Sequence, residues 1–151
     1  MLARVCQVAR ERALTPAVMT FEPHPREYFA TLNHRPELAP TRISGLRDKL
    51  AALARYGVSQ VVVERFNARL AEMSANAFIE NLLVGGLNAK WLLVGEDFRF
   101  GHKRSGDIDL LREAGLRHGF EVQTLADVTD RHGHRISSSE VRTALAVGDL
   151  D

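Results

Sequence analysis

Hydrophobic and polar positions along this chain alternate between two rhythms. Leu2, Val5, Ala9 and Ala13 recur at helical spacing, so the chain opens in a helix. Residues 16–21, PAVMTF, then run nearly unbroken apolar, as a short strand buried on both faces does. Residues 44–57, SGLRDKLAALARYG, return to helical spacing through Leu46, Leu50, Leu53 and Ala54, with Gly57 as the stop. VSQVVVERF (58–66) predicts a second strand. SANAFIENLLVGG (74–86) predicts a third helix, begun by Ser74 and ended by Gly85 and Gly86. AKWLLVG (89–95) is a third strand, and GDIDLLREAGLRHG (106–119) a fourth helix with Asp107 and Asp109 suited to its positive end. FEVQTLADV (120–128) is a fourth strand, and RISSSEVR (135–142) opens a last helix. Residues 22–41, EPHPREYFATLNHRPELAPT, break the rhythm and read as a long proline-rich loop.

Strands and helices that alternate in this way, with the strands apolar on both faces, predict an α/β fold. Its core is a doubly wound, Rossmann-like parallel sheet with helices on each side. Such a domain normally opens with a strand, whereas this chain opens with a helix, so the first strand is expected to be missing. Ligands of such sheets bind beyond the carboxyl ends of the strands. The loops after PAVMTF, AKWLLVG and the last strand are therefore the places to look for chemistry.

Composition narrows the classes. A chain of 151 residues, 45% hydrophobic and 26% charged, suits one globular domain spanning residues 1–151. Twenty basic residues against nineteen acidic give a net charge of +1, which argues against a general nucleic-acid or membrane surface. The single cysteine, Cys6, excludes an internal disulfide, fits a reducing cytoplasmic setting and lies on the apolar face of the first helix. No apolar run approaches membrane-spanning length. The amphipathic, Arg-rich start resembles some transit peptides, but Glu11 and the smooth run into a strand favour a structural helix.

Three loops carry unusual residues. In FEPHPRE (21–27), Pro23 and Pro25 bracket His24 and hold it extended just past a strand end, either as a functional group or as part of a stiff loop. In VGEDFRFGHKRSGD (94–107), Gly95, Gly101 and Gly106 allow sharp turns and close backbone approach. Phe98 and Phe100 there either tuck into the core or receive a planar aromatic ligand, with Asp97 accepting from its N–H edge. His102, Lys103 and Arg104 add charge suited to a phosphate. In RISSSEVR, Ser137 and Glu140 have capping-box spacing, with Val141, Ala144 and Leu145 as the apolar face and Gly148 as the stop. The serines then fall in the first turn of a helix, where unpaired N–H groups and the dipole favour an anion, with Arg135 and Arg142 flanking. Simple capping explains Ser137 and Glu140 equally well. His132 and His134 around Gly133 make a weak metal pair and a better exposed turn.

Taken together, TFEPHPRE, VGEDFRFGHKRSGD and RISSSEVRTALAVGDLD, in this order and spacing, resemble the FMN adenylyltransferase (FAD synthetase) module of bacterial bifunctional riboflavin kinase/FAD synthetases. The resemblance runs from the first helix to the last residue. It implies ATP and FMN as substrates, with Mg²⁺ accompanying ATP, and no protein metal site. It implies that Arg135, Ser137, Ser138, Ser139 and Arg142 grip the ATP phosphates, Ser138, Ser139 and Arg142 being the catalytic set. Pro23, His24, Pro25, Asp97, Phe98 and Phe100 would surround the flavin, His24 helping to order its loop. Ser139 stands where the family often has threonine.

The departures carry expectations too. The family opens with a strand and a G-x-F-D-G-x-H-x-G-H motif whose histidines act on the reacting phosphate; this sequence lacks the motif, and His132 and His134 have the wrong spacing. The riboflavin kinase module that normally shares the chain is likewise not encoded here. The expectation is a partial domain, truncated at both ends and inactive alone. Two other readings stay open: a fragment that only binds flavin or adenine nucleotide, and a sister adenylyltransferase acting on another mononucleotide or on phosphopantetheine.

Overall fold

Strand-forming and helix-forming segments alternate in space as they do in the sequence. A computed structural model describes residues 1–126 and 137–147, the side chains of Glu140 and of residues 144–147 excepted. Helix α1 (Leu2–Glu11) leads into β1 (Ala17–Glu22). Then come α2 (Pro25–Leu32), a 3₁₀ turn at Pro36–Leu38, α3 (Leu46–Arg55) and β2 (Gln60–Arg65). The short α4 (Ala68–Ala71) and α5 (Ala75–Phe78) follow, α5 continuing as a π-helix over Ile79–Gly86. After β3 (Trp91–Gly95) come α6 (Ile108–His118), β4 (Glu121–Leu125) and α7 (Ser138–Val147).

Among the described residues both strand pairs are parallel, as strands apolar on both faces require. β1 pairs β2 with Ala17 opposite Gln60 and Glu22 opposite Arg65, and β3 pairs β4 with Trp91 opposite Glu121. The strands form two pairs rather than one continuous sheet among the described residues. The core divides in the same way. Phe78, Ile79, Leu83, Phe100, Leu111, Ala114 and Phe120 form the larger cluster, and Cys6, Leu53 and Val58 the smaller. Val18 packs on the smaller cluster, whereas Met19 and Phe21 pack on the larger. Successive strand residues face opposite sides, so the two clusters lie on opposite faces of β1. Helices thus cover both faces, the expected doubly wound arrangement. Cys6 is buried, and its thiol donates to the Tyr56 carbonyl at 3.2 Å.

One expectation needs correcting. Residues 22–41 are not a plain loop, because Pro25–Leu32 is helical. His24 stands at the N-cap with φ −58° and ψ 140°, and its Nδ1 accepts the Arg26 N–H at 3.1 Å. Pro25 occupies the first helical turn, where its fixed φ suits the helix and its missing N–H costs nothing. The prolines read as loop signals are therefore a helix start. The third helix also departs from regular form. Ser74 caps it as expected, its Oγ accepting the Ala77 N–H at 3.1 Å. From Ile79 onward, however, the helix widens to π geometry. A Cβ at Gly85 would lie 3.0 Å from the Glu80 carbonyl oxygen, and one at Gly86 3.2 Å from that of Asn81, so the two glycines admit the wider turn.

Candidate nucleotide site

Two of the candidate loops lie at strand ends, FEPHPRE after β1 and the aromatic loop after β3. The Glu22–Pro23 peptide is cis, and His24 follows directly. Burial lowers the His24 pKa from its usual 6.5; Glu27 pulls it up, and Arg142, Arg26 and Lys49 push it further down. A neutral ring is what the N-cap role needs, because Nδ1 must then accept. Three cations thus act on one imidazole at the end of β1.

Arg42 was not anticipated. Its Nε and Nη2 donate to Glu27 Oε1 at 2.8 Å and Oε2 at 2.7 Å, and Nη2 also donates to Glu22 Oε1. This fork holds the Glu27 carboxyl below its ordinary 4.5 and raises the pKa of Arg42. No sequence signal could have found it, since its partners lie 15 and 20 residues away within a proline-rich stretch. Beside it, the Thr41 carbonyl accepts from Arg142 Nε at 2.7 Å, across 101 residues. Arg142 Nη1 also donates to the Ser138 carbonyl at 3.1 Å. The segment 41–42 therefore ties the serine turn to the FEPHPRE loop.

Ser137 precedes α7, and its carbonyl accepts the Val141 N–H at 3.0 Å, as a capping position requires. Ser138 and Ser139 are exposed in the first turn, and the Ser139 carbonyl accepts the Thr143 hydroxyl at 3.1 Å. Arg135, the His132–His134 turn and Gly148 lie outside the described residues.

The aromatic loop divides by burial. Phe100 is 6% exposed and belongs to the larger core cluster, whereas Phe98 is half-buried. The two rings stack with centroids 5.5 Å apart and planes 20° apart, and Phe100 leans on Phe78 at 5.3 Å. Both border a cavity of about 200 Å³ shared with Phe21, Pro25, Phe29 and Phe66, with Arg99, Lys103 and Arg104 at its edge. Gly101 permits this arrangement. Its φ is +74°, and a Cβ there would lie 2.7 Å from the backbone N and Cα of Ala75. Lys103 and Arg104 follow with φ of 52° and 59°, left-handed values unusual outside glycine. Asp97 is exposed, and its Oδ1 lies 3.2 Å from where a Gly95 Cβ would sit, so the carboxylate folds over the strand end. Pro25 brings the halves together: it lines the aromatic cavity, while the neighbouring His24 feels the charge of Arg142.

A family model described as FAD synthetase matches residues 1–140. The chain belongs to the FAD synthetase family. Curated relatives agree. The bifunctional riboflavin kinase/FMN adenylyltransferase of Escherichia coli strain K12 is 47% identical over 141 residues, covering 93% of this chain and 43% of the relative. Those of Pseudomonas fluorescens and Haemophilus influenzae are each 42% identical, covering 99% of this chain and 46% of theirs. The chain thus spans less than half the length of these relatives. Among solved structures, one described as a macrolide-efflux protein from Streptococcus pneumoniae superposes with a TM-score of 0.75 at 25% identity, over 99% of this chain and 48% of that one. Among the described residues no helix is long and apolar enough to cross a membrane, and no group of three or more His, Cys, Asp or Glu could hold a metal ion.

Proposed function

We propose that this FAD synthetase-family chain carries the FMN adenylyltransferase half of a bifunctional enzyme, transferring AMP from ATP to FMN. An FMN phosphate oxygen attacks the α-phosphorus of ATP, the bond to the β-phosphate bridge breaks, and pyrophosphate leaves as FAD forms. The observation that supports this reading is the tie between Arg142 and Thr41, which leaves Arg142 close enough to act on His24, whose neighbour Pro25 lines the aromatic cavity. Phosphates at a helix N-terminus meet unpaired N–H groups and a favourable dipole. Ser138, Ser139 and Arg142, with Arg135 before them, hold the leaving pyrophosphate, while Ser137 caps the helix whose N–H groups face it. Charge stabilisation of this kind, together with in-line positioning, is the main protein contribution to such transfers.

The flavin lies with its ring edge against Phe98, Phe100 and Pro25, and Asp97 accepts from its N–H edge. The aromatic cavity is smaller than the usual ligand pocket of about 300–1,000 Å³, so it takes part of the flavin and leaves the rest over the loop. Mg²⁺ comes with ATP and keeps most of its ligands as phosphate oxygens and water, as that ion prefers. A riboflavin kinase module on the same polypeptide supplies FMN, as the relatives' names suggest, and the setting is cytoplasmic.

The test is calorimetric titration of ATP into a version that carries the family's opening strand and histidine motif ahead of residue 1, and into its Arg142→Ala variant, with FAD formation followed by fluorescence. A charge-assisted hydrogen bond contributes about 1.5–3 kcal/mol, so ATP binding should weaken roughly ten- to hundredfold while FMN binding holds. Equal ATP affinity in both proteins would remove the serine turn from the site. ATP and FMN binding without FAD formation would favour the binding-only reading.

A further inference from the structure

Lys49 stands one helical turn before Leu53 on α3, so the two side chains share a face of that helix. Leu53 belongs to the smaller core cluster, on which Val18 of β1 packs. Side chains two apart on a strand share a face, so Thr20 and Glu22 stand on the same side of β1 as Val18. Lys49 duly meets Thr20, its Nζ donating to Oγ1 at 3.4 Å. Helix α3 therefore runs back along β1 and delivers a half-buried lysine beside the strand's carboxyl end.

The carboxylates of β1 and α2 are already taken. Glu22, about 7 Å beyond Thr20 on the same side of β1, and Glu27 are both engaged by Arg42. Thr41, next to Arg42, holds Arg142 through its carbonyl at 2.7 Å. Lys49 and Arg142 thus approach one strand end from α3 and α7, near enough that both act on His24 just past it. Among the described residues neither has a carboxylate within ion-pair distance. A lysine drawn out of water ordinarily finds a carboxylate. Here its three donors have one described acceptor, and that bond is longer than the usual N–H···O range. Two cations left so near one another repel, and an added anion with several oxygens turns that repulsion into attraction.

We propose that Lys49 binds a phosphate group at the carboxyl end of β1, beside Arg142, and so completes the clamp that the serine turn begins. The ligand's chemistry, a phosphate with several free oxygens, follows from the cations; its identity, ATP or FMN, rests on the adenylyl-transfer reading. A lysine suits this place because its ammonium is a compact point charge on a flexible stem, with no fork geometry to satisfy.

The test uses the protein with the family's opening strand and histidine motif ahead of residue 1, as parent, Lys49→Gln and Lys49→Arg. Inorganic pyrophosphate, ATP, FMN and riboflavin are titrated into each by calorimetry, with FAD formation and melting temperature recorded alongside. Lys49→Gln should bind ATP and pyrophosphate, or FMN, about tenfold more weakly, with riboflavin affinity kept and most of the loss recovered in Lys49→Arg. Loss on ATP assigns the lysine to the triphosphate, and loss on FMN assigns it to the flavin's phosphate. Phosphate ligands that bind parent and Lys49→Gln alike, or that fail to bind the parent, would overturn the proposal. So would a riboflavin loss as large as the FMN loss together with a lowered melting temperature, which is the mark of a purely structural lysine. Absence of FAD formation would count against adenylyl transfer alone, because tighter pyrophosphate binding by the parent than by Lys49→Gln still establishes the phosphate contact.

Discussion

Replacing Gly101 by alanine should destabilise the protein by an amount that the structure divides into two parts. The first is conformational. Gly101 has φ +74° and ψ 175°, a region populated essentially by glycine alone, and a side chain there costs about 1–3 kcal/mol. The second is contact. The added Cβ would lie 2.7 Å from the backbone of Ala75, at the start of α5, and overpacking against a fixed neighbour costs about 1–3 kcal/mol. The sum is about 2–6 kcal/mol. At about 2–4 °C per kcal/mol for a chain of this size, the melting temperature falls by roughly 4–24 °C. Gly119→Ala is the matched control. Gly119 also has positive φ, +75°, but nothing lies within 4 Å of its Cβ position, so only the conformational part, about 1–2 kcal/mol, remains. Thermal and urea unfolding followed by circular dichroism would measure both. If Gly101→Ala cost no more than Gly119→Ala, the argument that the aromatic loop is fixed by close approach to α5 would fail.

Four further outcomes follow from the same structure. Phe98→Ala should weaken FMN binding several-fold, since ring stacking contributes about 0.5–1.5 kcal/mol, whereas Phe100→Ala should mainly lower stability by about 3–5 kcal/mol; fluorescence quenching and unfolding curves separate the two, and equal effects on FMN would put both rings in one role. Acidification should destabilise the chain in two steps: stability is full above pH 6.5, falls as pH drops through the depressed His24 value, and falls again below 4.5 through the depressed Glu27 value. Arg42→Gln should shrink the second step and cost at most about 1 kcal/mol per lost ion pair, because the Arg42 side chain is 45% exposed; urea midpoints across pH would show it, and a lower step of unchanged size would clear the Arg42–Glu27 fork. Ser137→Ala should cost about 1 kcal/mol of stability through the cap with ATP binding kept, and Ser139→Ala should do the reverse, each read by unfolding and by calorimetry.

Most of the fold was legible because the chain keeps its two rhythms cleanly. Strands such as WLLVG, and caps such as Ser74 and Asp107, stand where the pattern puts them. The misses have local causes. Helix α2 hid behind prolines that are helix starters when one of them follows an N-cap histidine. Helix α4 spans four residues, too few to show a period. The π-turns of 79–86 arise from adjacent glycines, which a sequence reading takes as a stop. At the site, local motifs marked the serine turn and the aromatic loop. Arg42, Lys49 and the Thr41 carbonyl went unseen, because their importance comes from contacts between distant segments, which spacing does not encode.

The bond from Arg142 to the Thr41 carbonyl bears on how fast and how tightly an anion can be held. A free arginine side chain explores many rotamers, and freezing it opposes binding by about 1.5–2 kcal/mol. Here two carbonyls, of Thr41 and Ser138, already fix the guanidinium before any ligand arrives. That ordering is done when the chain folds, so an arriving phosphate meets an arginine whose search is over. On the proposed phosphate role of Arg142, about tenfold or more in affinity resides in the placement of one peptide group, 101 residues from the residue it restrains.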